Sequence, residues 1–312
     1  MLITICRGKG GEMMEKRDVD YSRMSAEKRI LLTERIHISY PRLTEIEQKI
    51  KHCHEFSKMS AEPVNLLVQG ETGTGKTTCN HRYEKKFPRY ETEDGTIVPV
   101  LSTAIPVPAT VKSLVTKLLL KLGDPWAERG SVLNQTLRIK RLMKACRVEL
   151  IILDEFQHFI DRDSQKILQT VSDWLKDLLN ETKIPIVLIG MPNSERILEA
   201  NRQLKRRFSV RINIDPFGWE TAEQRQDFRK FLRMVDMNLP LLKRSNLADV
   251  ETAFRFFHAS DGIVANVMQV ARRATVLAIE RSMDKLDLSV LAEAYEDRLA
   301  MSNSKKENPF LA

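Results

Sequence analysis

Aromatic side chains are scarce in this 312-residue chain: phenylalanine, tryptophan and tyrosine together make up 6% of it. That argues against a stacking platform for unpaired bases, which needs ring faces at intervals along a groove. Cysteine is scarcer still. Cys6, Cys53, Cys79 and Cys146 are widely scattered and form no C-x-x-C pair. This excludes the usual zinc-ribbon spacing and suits reduced thiols in a cytoplasmic protein. The run His52-Cys53-His54 makes no metal site by itself, because sequence neighbours point away from each other on a helix. Long apolar runs are also missing. No segment approaches the ~18 residues that cross a bilayer, and the opening Met1–Cys6 is too short for a secretory signal. No membrane partner is therefore expected, and no internal repeat is found.

What the chain has is ordinary globular chemistry with a basic excess. Hydrophobic residues make up 42% and charged ones 29%. Fifty Lys and Arg against forty-two Asp and Glu give a net charge of +8, with a pI near 9.3. That balance suits a polyanionic partner, since neutralising phosphates releases counterions. The length allows one large α/β domain plus a smaller helical one, or a single large domain.

Residues 1–34 are charged and weakly periodic, and read as a flexible N-terminal arm. Residues 33–59 read as extended chain followed by a helix, stopped by Pro63. Beyond it, short apolar strands at 64–68, 97–101, 149–153, 186–189 and 210–214 alternate with helices at 111–122, 133–147, 164–180 and 194–204. Strands separated by helices predict an α/β fold with a five-stranded parallel sheet covered on both faces. After Pro216 the strand signals stop, and helices at 221–234, 248–259, 264–281 and 289–300 follow. The predicted organisation is an α/β domain over 35–216, a small helical lid over 217–300, and a frayed tail over 301–312.

Gly70-Glu71-Thr72-Gly73-Thr74-Gly75-Lys76-Thr77, followed by Thr78, is a complete G-x-x-x-x-G-K-T phosphate-binding loop. It follows a strand and precedes a helix, the context the motif requires. Gly70, Gly73 and Gly75 let the backbone N–H groups curl toward phosphate oxygens, and the helix N-terminus adds positive potential. Lys76 is expected to reach the β- and γ-phosphates of ATP, and the Thr77 hydroxyl to ligate Mg²⁺. The second half is Leu150–Glu155, four apolar residues ending in two carboxylates. Asp154 is expected to hold Mg²⁺ mainly through water, and Glu155 to orient and polarise the attacking water. Together these predict an ATPase.

Two further groups are candidates. Arg206 and Arg207, in the basic run before the last strand, can act as arginine fingers or simply complement a helix C-terminus. Asn193, after the 186–189 strand, can sense the γ-phosphate or cap the next helix.

The order of these parts resembles AAA+ ATPases, and within them the TnsC/TniB transposition-regulator ATPases, relatives of the origin-recognition initiators. The residues that carry the likeness are Gln69–Thr78, Ile105-Pro-Val-Pro108 with Leu114, Leu118, Leu119 and Leu122-Gly-Asp-Pro125, Ile152–His158, and Leu188–Pro192. The likeness covers about residues 35–300. It implies an AAA+ P-loop domain followed by a helical lid, in a bacterial ATPase that self-assembles into a ring or helical filament on double-stranded DNA. It further implies recruitment of a DDE-type transposase, recruitment by a TniQ-like target-selection protein, slow turnover stimulated by partners, and disassembly on hydrolysis. The loop and helix after the second strand would face the pore, where Lys112, Lys117, Arg129 and Arg138 are the available cations. One departure stands out: Asp261–Asn266 lacks the γ-phosphate-sensing arginine of many AAA+ lids, and Arg272-Arg273, two turns further on, read as interface or DNA residues. The alternatives are a helicase loader or replication initiator on the same fold, and a DNA-independent nucleotide switch.

Overall fold

Five pentapeptide strands build the sheet that carries the catalytic candidates, in a computed structural model that describes residues 20–60, 62–160, 165–299 and 307–311. The elements in chain order are α1 (Ala26–Glu34), α2 (Pro41–Ser57), β1 (Leu66–Gly70), α3 (Lys76–Glu84), β2 (Tyr90–Thr92), β3 (Gly95–Ile97), β4 (Val100–Ala104), α4 (Val111–Leu122), α5 (Val132–Ala145), β5 (Leu150–Asp154), α6 (Gln165–Thr182), β6 (Ile186–Gly190), α7 (Glu195–Glu199), α8 (Arg202–Arg207), β7 (Val210–Ile214), α9 (Ala222–Asn238), α10 (Val250–Ser260), α11 (Val264–Glu280) and α12 (Leu288–Arg298). The chain divides into two compact units. One spans Arg42–Asp215; the other joins the residues up to Pro41 to those from Pro216 onward.

In the first unit the strand order is β4-β5-β6-β1-β7, every pairing parallel. β1, β5 and β6 are buried along their whole length, as strands covered on both faces must be. β7, at an edge, alternates in exposure. Leu67 lies between Leu188 on β6 and Arg211 on β7, which puts the carboxyl end of β1 where the strand order reverses. Ligands of open α/β sheets bind at that point. The main core lies between the sheet and α4, α5 and α6, with Leu114, Leu118, Leu153, Leu175 and Leu178 fully buried. Thr110 and Ser113 form a capping box at the start of α4, and Gly123, at φ 86°, ends it.

Three boundaries differ from the sequence reading. The second sheet strand starts at Val100 because residues 90–97 fold into a separate antiparallel hairpin, with Thr92 opposite Gly95. The helix expected over 194–204 is broken into α7 and α8, and the Asn201 side chain accepts from the backbone N–H groups of Gln203 and Leu204 at the new start. Of the segment expected as a loose arm, residues 1–19 lie outside the described residues, and α1 is a Ser25-capped helix.

In the second unit, α1 packs on α11. Arg29 Nε donates to the Pro240 carbonyl at 2.8 Å and Arg272 Nη2 to that of Ile36 at 2.6 Å. Arg273 donates to Asp297 at 2.6 Å, so both lid arginines are engaged within their own unit. Phe217 stacks on Phe231 and meets Tyr40; its carbonyl fills the space that a Cβ on Gly262 would need. The tail expected to fray is anchored over residues 307–311: Phe310 is 3% exposed, packed against Phe256 and Tyr295, and Arg255 donates to the Pro309 carbonyl. Among the described residues no single helix is long and apolar enough to cross a membrane.

Candidate active site

The loop between β1 and α3 has the backbone its glycines predict. Gly73 and Gly75 take φ of 83° and 97°, a region that costs other residues strain. Gly70 is required for a different reason: a Cβ there would lie 2.5 Å from the Ile214 carbonyl oxygen. Lys76 opens α3 and is buried. Its ammonium donates to the carbonyls of Gly70 at 2.6 Å and Glu71 at 2.7 Å. Burial lowers its pKa, while the charges of Glu155, Asp154 and Glu71 oppose that shift.

Asp154 emerges from β5 at 2% exposure. Burial raises its pKa, against hydrogen bonds from the Glu155 N–H, Thr77 and Asn80 that favour the carboxylate. The Glu155 N–H donates to Oδ1 at 2.8 Å and Asn80 Nδ2 to Oδ2 at 3.5 Å. Ser102 on β4 donates to Asn80 Oδ1 at 3.0 Å, so two buried polar side chains orient the carboxylate from behind. Glu155 itself is half-buried and left-handed at φ 55°, ψ 39°, an uncommon conformation for a residue with a Cβ. Gln157 Nε2 donates to its Oε2.

The turn after β6 is tied to both neighbouring strands. The Met191 N–H donates to Gln157 Oε1 at 3.1 Å, and Gln69 Nε2, at the end of β1, donates to the Pro192 carbonyl at 2.5 Å. Asn193 is exposed in this turn, and the helix after it carries no side-chain cap bond.

Lys76, Thr77, Asp154 and Glu155 are therefore brought together, with Asn193 on the adjoining turn. Arg206 is exposed and Arg207 half-buried in the last turn of α8, and no ion pair of either is found among the described residues. Lys112 and Lys117 share an open groove of about 440 Å³ beside α4, lined also by Pro106, Thr110, Ser113, Thr116, Leu120 and Glu128. Arg129 is exposed, its guanidinium 4.1 Å from the Trp126 ring centre. Arg138 has a different setting. It binds Asp124 at 3.0 Å and the carbonyls of Trp126 and Arg129 at 2.5 and 2.9 Å, so it braces the 124–129 loop.

The sequence reading missed Gln69, Asn80, Ser102 and Gln157. Only Asn80 had a local signal: it lies three residues beyond Thr77 and four beyond Lys76 on one helix face. Ser102 meets the site across strands, whereas Gln69 and Gln157 lie inside the motif stretches, and what the sequence did not show is their bonds to the turn after β6.

These residues fit a nucleoside triphosphate with Mg²⁺. The loop needs glycine where it curls, the donors are backbone N–H groups and an ammonium, and Thr77 and Asp154 are the hard oxygen ligands that Mg²⁺ prefers. The fold and site define a P-loop ATPase fold of the AAA+ class. A family model described as "Bacterial TniB protein" matches residues 29–217, and the chain belongs to that family. No curated protein matches it. Among solved structures, the fold is similar to that of Aeropyrum pernix ORC1 in complex with DNA (TM-score 0.61, 15% identity, 88% of this chain and 69% of that one). It is also similar to Aeropyrum pernix ORC2 in its ADPNP–ADP complexes (0.60, 13%, 88% and 72%) and to Cdc6p from Pyrobaculum aerophilum (0.59, 13%, 86% and 71%).

Proposed function

We propose that this chain hydrolyses ATP to regulate DNA transposition, assembling on double-stranded DNA in its ATP state and leaving it on hydrolysis. The observation that carries the hydrolysis reading is the meeting of Lys76 and Thr77 with Asp154 and Glu155 at the switch point of a parallel sheet. Lys76 exchanges the carbonyls of Gly70 and Glu71 for phosphate oxygens. Backbone N–H groups of the Gly70–Thr78 loop bind the remaining oxygens. Bound Mg²⁺ supplies neutralisation of phosphate charge, and Thr77 and Asp154 are the residues that would hold it. Glu155 orients and polarises the water. Arg206 and Arg207 serve a neighbouring copy's site in trans, and Asn193 senses the γ-phosphate.

Family membership supports the transposition setting, with a DDE-type transposase and a TniQ-like protein as partners. A fold neighbour described in complex with DNA supports the DNA reading. Lys112, Lys117, whose ammonium also donates to the Ala104 carbonyl at 2.8 Å, and Arg129 are the cations assigned to phosphate; Arg138, held by Asp124 and two carbonyls, is assigned to the loop. Contacts to phosphate give little sequence preference. An initiator role uses the same fold, and the family match favours transposition over it.

Lys76→Ala should lose both nucleotide and duplex DNA binding. Glu155→Gln should keep both, stop turnover and hold the assembled state, visible as particles on duplex DNA by electron microscopy. Normal turnover by Glu155→Gln would overturn the hydrolytic assignment. DNA binding indifferent to ATP would overturn the assembly reading.

A further inference from the structure

The carboxylate assigned to the water is held by a side chain with no role so far. Gln157 is 6% exposed and uses both ends of its amide: Nε2 donates to Glu155 Oε2, and Oε1 accepts from the Met191 N–H at 3.1 Å. The Gly190 Cα faces the same amide, and a Cβ there would stand 3.0 Å from Gln157 Oε1 while colliding with Ser194 Oγ. That hydroxyl is buried with no hydrogen-bond partner among the described residues, so the turn packs tightly around the glutamine. Through the bond from Gln69 to Pro192, the same turn is fastened to the end of β1 just before Gly70. A continuous path of hydrogen bonds and backbone thus runs from the root of the phosphate loop, through the turn after β6, to Glu155.

We propose that Gln157 is a positioning residue: its amide pins one oxygen of Glu155, leaves the other facing the water, and registers the carboxylate against the turn that carries Asn193. The inference rests on the reading of Glu155 as the water-orienting group. A base whose direction is set by a third group is a recurring arrangement in hydrolytic sites. Glu155 is left-handed, and among the described residues the hydrogen bond found at its carboxylate is the one from Gln157. Only a side chain with a donor and an acceptor at opposite corners of a planar head can make both bonds at once.

The test compares three substitutions in the full chain by steady-state ATP hydrolysis, nucleotide binding and thermal melting. Gln157→Met keeps the approximate shape and removes both polar ends. Gln157→Glu keeps the shape and removes the donor. Gln157→His restores one donor and one acceptor. The expected result is a fall in kcat of about tenfold or more for Met and Glu, in the range seen when supporting hydrogen bonds are lost. KM and nucleotide affinity should stay within about twofold, and His should recover part of kcat. Unchanged kcat in Met and Glu, while Glu155→Gln is inactive, would overturn the role of Gln157 and leave Glu155 in place. A loss confined to KM or to melting temperature, with His no better than Met, would reduce Gln157 to packing. Full turnover in Glu155→Gln would remove the reading beneath it.

Discussion

His54 lies at 1% exposure between two partners: Nδ1 is 3.0 Å from the Tyr83 hydroxyl and Nε2 2.9 Å from Glu149 Oε2. A neutral ring satisfies both, accepting from the phenol at Nδ1 and donating to the carboxylate at Nε2. Burial pushes Tyr83 upward, which keeps that phenol protonated. Burial lowers the pKa of His54 below its ordinary 6.5, against the pull of Glu149. The pKa of Glu149 is also lowered: hydrogen bonds from Lys58 and His54 outweigh the burial that would raise it. Both shifts act in one direction. As pH falls through 6.5, the unfolded histidine takes a proton that the folded one resists. Further down, the unfolded Glu149 protonates before the folded one, and each step favours the unfolded chain. The melting temperature should therefore fall on acidification from pH 7, and His54→Gln should flatten that slope between about pH 6.5 and 5. An unchanged slope in the variant would place the acid sensitivity elsewhere. The same burial pushes the Cys53 and Cys79 thiols up to about 11 and about 12, which suits packing residues better than reactive ones.

At the scale of the element, α8 is the informative case. An unbroken helix over 194–204 would end within the basic run and leave Arg206 and Arg207 in a loop. The break at Asn201 starts a second helix whose last turn carries Lys205, Arg206 and Arg207, where cations complement the helix dipole. Lys205 reaches Glu195 and Glu199 on the preceding helix at 3.9 and 3.4 Å, while Leu204 is fully buried. Asn201→Ala removes the acceptor for two N–H groups at the start of a six-residue helix. The expected cost is about 1 kcal/mol, or roughly 2–4 °C in the melting of a domain this size. If Arg206 and Arg207 act in trans, the same change should lower turnover of the assembled protein more than nucleotide binding by the free chain. Equal loss of both would count against that role.

On the scale of the whole molecule, segments near the two ends of the chain belong to one unit. α1 lies on α11, and residues 307–311 close over α10 and α12. The contact of α1 with α11 closes a long loop, an entropic cost that its packing must offset. Phe310→Ala should cost about 3–5 kcal/mol, the usual range for truncating a buried phenylalanine. Removing residues 307–312 should do the same by uncovering Phe256 and removing the Pro309 carbonyl that Arg255 binds. Denaturant melting monitored by Trp219, which stacks on Phe257 in that unit, would report the change. An unaltered midpoint would show that the segment merely rests on the surface.

The sequence alone determined what depends on local rules. The strand–loop–helix of the phosphate site, the buried strand ending in Asp154 and Glu155, the alternation that makes a parallel sheet and the shift to helices after Pro216 are each written within a few consecutive residues. Period, glycine placement and charge suffice to read them. Tertiary structure decided what depends on distant partners. Ser102 joins the site, and Gln69 and Gln157 find the turn after β6, only when strands far apart in sequence lie side by side; Arg138 is claimed by the loop it braces, α1 finds its place on α11 near the other end of the chain, and Phe310 packs on α10 and α12. A polar side chain carries no sign in its own neighbourhood of which buried group it will satisfy, because that partner is fixed by packing.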